Sequence, residues 1–130
     1  MSESGTLSVK QEALFHKAKD MNSAKIIDLA EITPREPVPG AKARFIHSSN
    51  MTFAYWEFKA GTDLPLHDHL HEQVVNLTSG EFVLTVDGNP IKLTPGRVVM
   101  IPGGVPHSGK AITECRIIDV FHPVREDLRE

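Results

Sequence analysis

A single cysteine, Cys115, stands in the 130-residue chain, so no disulfide can form within it and the paired thiols of small oxidised domains are missing. A cytoplasmic address is the reading this favours. Long hydrophobic runs are also missing. No apolar stretch approaches the roughly eighteen residues of a spanning helix, and the polar opening, residues 1–10, lacks the basic-then-apolar order of a secretory signal. Nor is positive charge in excess: a net charge of −3 gives no basic stripe for nucleic acid and no polybasic patch for a membrane. Neither partner is expected. The chain is long enough for one buried core and no more.

Glycine, proline and histidine are present in a fixed order. Gly61-x5-His67-x-His69-x3-Gln73-x6-Gly80 is followed by Gly96-x5-Pro102-x-Gly104-x2-His107. Alternate residues of a strand share a face, so His67 and His69 point the same way at a spacing one ion can bridge. Continuing that strand would carry Gln73 about 20 Å from His67, whereas metal ligands must lie near about 2.0–2.2 Å from the ion. The chain is therefore expected to turn at Leu70-His71-Glu72 and bring Gln73 back on the next strand. His107 arrives in Pro102-Gly103-Gly104-Val105-Pro106-His107, a stretch whose glycines and prolines make a tight, rigid turn. His67, His69, Gln73 and His107 form one expected metal-binding set. Three imidazoles and an amide suit one divalent transition metal: nickel, zinc, iron or manganese.

From residue 42 onward the chain reads as short strands over 42–48, 51–59, 73–78, 81–86, 90–94, 97–101 and 113–121, with turns at Ser79-Gly80, Asp87-Gly88 and Thr94-Pro95-Gly96. This is the signature of an all-β antiparallel barrel or jelly roll. Ahead of it, residues 1–39 form an arm with a short helix over 8–19 and a strand over 24–30, before Pro34, Pro37, Pro39 and Gly40 impose a loop. The barrel domain is expected over 40–130. Phe53, Ala54, Tyr55, Trp56 and Phe58 are apolar on both faces of their strand, as are Ile117 to Phe121, which predicts an outer surface covered by the N-terminal segment or a second subunit; a homodimer is expected.

On the last strand Cys115, Ile117, Asp119 and Phe121 share one face, and three of the four are apolar, so Asp119 is expected to point into the barrel with them. A buried carboxylate is costly unless it is paired or used. Arg125 follows Pro123 and carries the planar fork that clamps carboxylates.

The two motifs resemble the signatures of the cupin superfamily, small β-barrels in which three histidines and a glutamate hold a divalent metal; Gln73 takes the glutamate's position. Pro65-Leu66-His67-Asp68-His69-Leu70-His71-Glu72-Gln73, the second motif, and Asp119-Val120-Phe121-His122-Pro123-Val124-Arg125-Glu126-Asp127 are together similar to the KdgF family over residues 40–128. Leu70, where that family often has proline, and Asn76, where it commonly has an aromatic, are departures. The resemblance implies a Gln metal ligand at Gln73 and a site lined by Asp119, Phe121 and Arg125. It also implies an enzyme that opens the ring of 4,5-unsaturated uronic acids left by pectin or alginate lyases, giving linear keto acids. Within this scheme Arg125 holds the substrate carboxylate, Asp119 moves a proton, and Phe121 shapes the pocket. The rival readings are a metal-dependent dioxygenase of a small acid, whose usual two-His, one-carboxylate face Gln73 would break, and a sugar- or metal-sensing cupin that binds without turnover.

Overall fold

The computed structural model describes Ser8 and residues 23–129. Two compact units divide the chain, Met1–Glu31 and Ile32–Glu130. In the first, the strand expected over 24–30 is not formed. Asp28 folds the chain instead: its carbonyl accepts from Glu31 N at 3.0 Å and its Oδ1 accepts from Ala30 N at 3.1 Å, making a 3-10 turn over Leu29–Glu31. A local side-chain acceptor of this kind competes with the ladder a strand would need. The helix expected over 8–19 lies, apart from Ser8, outside the described residues. Among those described, no helix is long and apolar enough to cross a membrane.

The second unit is an antiparallel jelly roll. Its strands are β1 (Arg35–Val38), β2 (Ala41–His47), β3 (Thr52–Phe58), β4 (Asp63–His67), β5 (Glu72–Ser79), β6 (Phe82–Val86), β7 (Asn89–Leu93), β8 (Val98–Ile101), β9 (His107–Ala111) and β10 (Cys115–His122). They form a six-stranded sheet, β1-β2-β3-β10-β5-β8, and a four-stranded sheet, β4-β9-β6-β7. The core between them contains Phe58, Leu77, Phe82, Leu93 and Ile101, with the Phe58 and Phe82 rings 5.4 Å apart.

Three of these strands escape a reading by composition. β1 lies ahead of residue 40 and holds Pro37, and β4 holds Pro65; each lies at the edge of its sheet, where a missing N–H breaks no ladder bond. β9, His-Ser-Gly-Lys-Ala, has little strand propensity but lies between β4 and β6. Its Gly109 is required by space, because a Cβ there would lie 2.4 Å from the Phe82 ring. Val86 and Asn89 are paired across a two-residue turn in which Asp87 has φ 49° and Gly88 φ 80°, the left-handed pair that suits strand twist.

On β10 the inward face expected from alternation is observed: Cys115, Ile117, Asp119 and Phe121 are buried, and the residues between them are not. The opposite face of the six-stranded sheet carries a row of apolar residues in register, Met100, Val74, Val120, Phe53 and Ile46. Met100 is 72% exposed and Val98, on the same strand, 54%.

Candidate metal centre and active site

β4 ends at His67, and His69 lies just beyond it, so the two histidines do not share a strand as the spacing suggested. They converge because the chain bends after His67, reaches Leu70-His71, and re-enters as β5 with Gln73 facing inward. Glu72 stays exposed while Gln73 is buried. His107 opens β9 directly opposite His67. The ring centroids are 4.3 Å apart for His67 and His107, 5.0 Å for His69 and His107, and 5.7 Å for His67 and His69. One ligand nitrogen from each of the three lies within 4.8 Å of the others, so the triad could hold a metal ion.

The tautomers fit that use. Nδ1 of His67 donates to the Pro65 carbonyl at 2.9 Å, Nδ1 of His69 to His71 at 3.0 Å, and Nδ1 of His107 to Val105 at 2.9 Å. A carbonyl oxygen only accepts, so each Nδ1 carries the proton and each Nε2 keeps its lone pair. Burial, then the Arg125 and His107 charges, lowers the His69 pKa to about 4, and burial lowers that of His107. Both are neutral at pH 7, the form a metal requires. His107 Nε2 is buried with no partner, and His69 Nε2 faces Gln73 Oε1 at 3.1 Å. Two acceptors in contact have no proton to share, whereas a cation coordinated by both at about 2.0–2.2 Å would satisfy them. The donor set therefore fits a divalent metal.

Beside the triad, Phe121 pairs with Gln73 across β10 and β5 and meets the His69 ring edge-on at 5.6 Å. Asp119 lies two residues earlier on the same face and is 7% exposed. Burial pushes its carboxyl up to about 7; Gln73, Trp56 and Arg125 oppose the shift. Arg125 N donates to Thr52 Oγ1 at 2.8 Å, and its guanidinium lies over the Phe121 ring at 4.7 Å. His67, Gln73, His107, Asp119, Phe121 and Arg125 line a single cavity of about 220 Å³. His69 joins this group through its ring contacts with His67, His107 and Phe121.

Two contributors had no clear sequence signal. Thr52, fully buried, anchors the backbone of Arg125 from 73 residues away, and Asp127 holds the Arg125 side chain. A polar residue closing the inward alternation of Thr52, Ala54, Trp56 and Phe58 was the one hint for the first.

The Cupin domain family matches residues 54–121, more than half of the chain. The chain is a cupin. Its fold is similar to that of KdgF from Halomonas sp., at 23% identity and TM-score 0.77, covering 82% of this cupin and 100% of that chain. An RmlC-like cupin from Shewanella frigidimarina NCIMB 400 is 28% identical with TM-score 0.77, covering 82% and 97%. Salicylate 1,2-dioxygenase from Pseudaminobacter salicylatoxidans shares the fold over 66% of this cupin and 27% of its own chain, at 19% identity and TM-score 0.64. No match was found among curated proteins.

Proposed function

We propose that this cupin opens and ketonises 4,5-unsaturated uronic acid monosaccharides from pectin or alginate breakdown, as its resemblance to the KdgF family implies. The observation that carries the reading is the convergence of a buried carboxyl, Asp119, and a guanidinium, Arg125, on the cavity lined by His67, Gln73 and His107.

The substrate is an enol ether closed as a hemiacetal. Its conversion removes the proton of the C1 hydroxyl, breaks the bond between C1 and the ring oxygen to leave an aldehyde, and adds a proton at C4 as the former ring oxygen becomes the C5 ketone. Nothing is oxidised or reduced. With a carboxyl pKa of about 7, Asp119 populates both forms at neutral pH and is suited to take the first proton and return it at C4. Arg125 binds the C6 carboxylate through its fork. Phe121 shapes the cavity wall and keeps water from the reacting atoms. A divalent metal held by His67, His69, Gln73 and His107 would supply Lewis-acid stabilisation of the negative charge that develops on oxygen.

The protein is further proposed to act in the cytoplasm and as a homodimer, with the apolar row of the six-stranded sheet buried between copies. Light scattering that gives a monomeric mass at micromolar concentration would overturn the dimer. For the reaction, lyase-derived 4,5-unsaturated galacturonate is followed by proton NMR with as-isolated and chelator-stripped protein. Loss of the vinylic C4 proton and growth of the open-chain keto acid only with metal-replete protein is the expected result. No acceleration over the spontaneous reaction would overturn the assignment.

A further inference from the structure

Two polar atoms in the wall of the cavity are unexplained by the site as described. Nε1 of Trp56 and Oδ1 of Asp119 are both buried, and neither has a hydrogen-bond partner. An indole nitrogen can only donate and an ionised carboxylate can only accept, and leaving either unpaired away from water is costly. The register brings them together. Trp56 lies opposite Ile117 and Asp119 opposite Ala54, so the two are diagonal neighbours on the inner face of β3 and β10, a separation that long side chains span. Ala54 contributes only a methyl group between them. The indole plane is fixed by stacking on Phe58 at 5.3 Å and an edge contact with Phe45 at 5.8 Å, so the direction of its N–H has little freedom. Its effect reaches the carboxyl, since Trp56 is one of the groups that favour the ionised form of Asp119.

We propose that Trp56 is a positioning residue for Asp119: its Nε1–H donates to Oδ1 and so turns Oδ2 toward the ligand. Asp119 lines the cavity, and Oδ1 is its buried oxygen without a partner. On the ring-opening reading, on which this consequence rests, Oδ2 is the atom that takes the C1 hydroxyl proton and returns it at C4. In this role Trp56 acts through Asp119.

Trp56 is the chain's one tryptophan, so its indole N–H gives a single cross-peak in a proton–nitrogen correlation spectrum of the zinc-loaded protein. A hydrogen-bonded indole proton resonates downfield. Asp119→Ala is expected to move that peak upfield, and Asp119→Asn, which keeps an oxygen acceptor, to move it less. Trp56→Phe retains an aromatic ring over Phe58 and removes the donor; kcat on the unsaturated uronate is expected to fall about tenfold with KM within about twofold. An indole peak that does not respond to Asp119→Ala overturns the proposal, as does Trp56→Phe with unchanged kcat. Should Trp56→Phe not fold, the Asp119→Ala spectrum decides alone. Because the spectrum needs no substrate, an Asp119-dependent indole signal in protein inert toward unsaturated uronates would overturn the ring-opening reading and leave the pair standing.

Discussion

The carboxylate of Asp127 grips one edge of the Arg125 guanidinium, with Nε to Oδ1 at 2.9 Å and Nη2 to Oδ2 at 2.7 Å. Asp127 is itself exposed, and Arg125 keeps its carboxyl below the usual range. Among the described residues Nη1 makes no hydrogen bond, so the end of the fork away from Asp127 remains for a second carboxylate. The ion pair orients the fork without consuming it, and the cation–π contact with Phe121 fixes the plane.

Asp127→Ala is therefore expected to raise KM for the unsaturated uronate about tenfold and leave kcat within about twofold, because a fork free to swing is lost as binding rather than as proton transfer. Steady-state kinetics on the metal-replete enzyme measures both. A lower KM would mean that Asp127 competes with the substrate carboxylate instead of presenting its partner.

Asp119→Asn tests two consequences of one burial. If Asp119 moves the proton, kcat falls about 10²–10⁴-fold; a loss under about threefold would remove it from that role. The second readout is stability. Burial pushes the folded carboxyl up to about 7 while the unfolded one keeps its ordinary value of 3.8, so folding takes up a proton between those values and stability falls as pH rises through that window. In chelator-treated protein, Asp119→Asn should melt higher than the wild type at pH 8, and the advantage should vanish below about pH 4. Melting curves across that range decide it.

Much of this site could be read from residue order because each ligand is tied to backbone punctuation. The glycines and prolines before His107 and the alternation around Asp119 carry geometric information that survives without coordinates. β9 could not be read that way: its Gly109 looks like a turn residue and is a strand residue only because Phe82 occupies the space a side chain would need. The strand expected over 24–30 failed for the opposite reason, since Asp28 satisfies the backbone locally. Asp127 left no trace as a site residue because it acts through Arg125, and Thr52 left only its place in the inward alternation of β3.

Gly103 sets how closely the His107 loop approaches the turn that carries His69. A Cβ at Gly103 would lie 2.2 Å from the Leu70 carbonyl oxygen, and the adjacent Gly104 N donates to the His69 carbonyl at 2.7 Å. Backbone cannot yield as a side-chain tip does, so Gly103→Ala must push the two loops apart. The expected outcome is a stability loss of about 1–3 kcal/mol together with weaker metal retention, measured by melting temperature and by metal content after dialysis. Full retention would mean that the triad tolerates the displaced loop.

Gln73 faces two ways: Oε1 meets His69 Nε2 at 3.1 Å, while its side chain favours the ionised form of Asp119. An amide can do both because it has one acceptor end and one donor end, whereas a carboxylate has only acceptors. Gln73→Glu should therefore separate metal affinity from catalysis. The added charge strengthens the ligand set, so metal should resist chelator longer. The same charge beside a buried carboxyl removes a donor and adds repulsion, which raises the Asp119 pKa further and moves the acid limb of the kcat/KM profile to higher pH. Tighter metal with a lower rate at neutral pH is the expected pair of results. Tighter metal with an unchanged pH profile would show that Gln73 serves the metal alone.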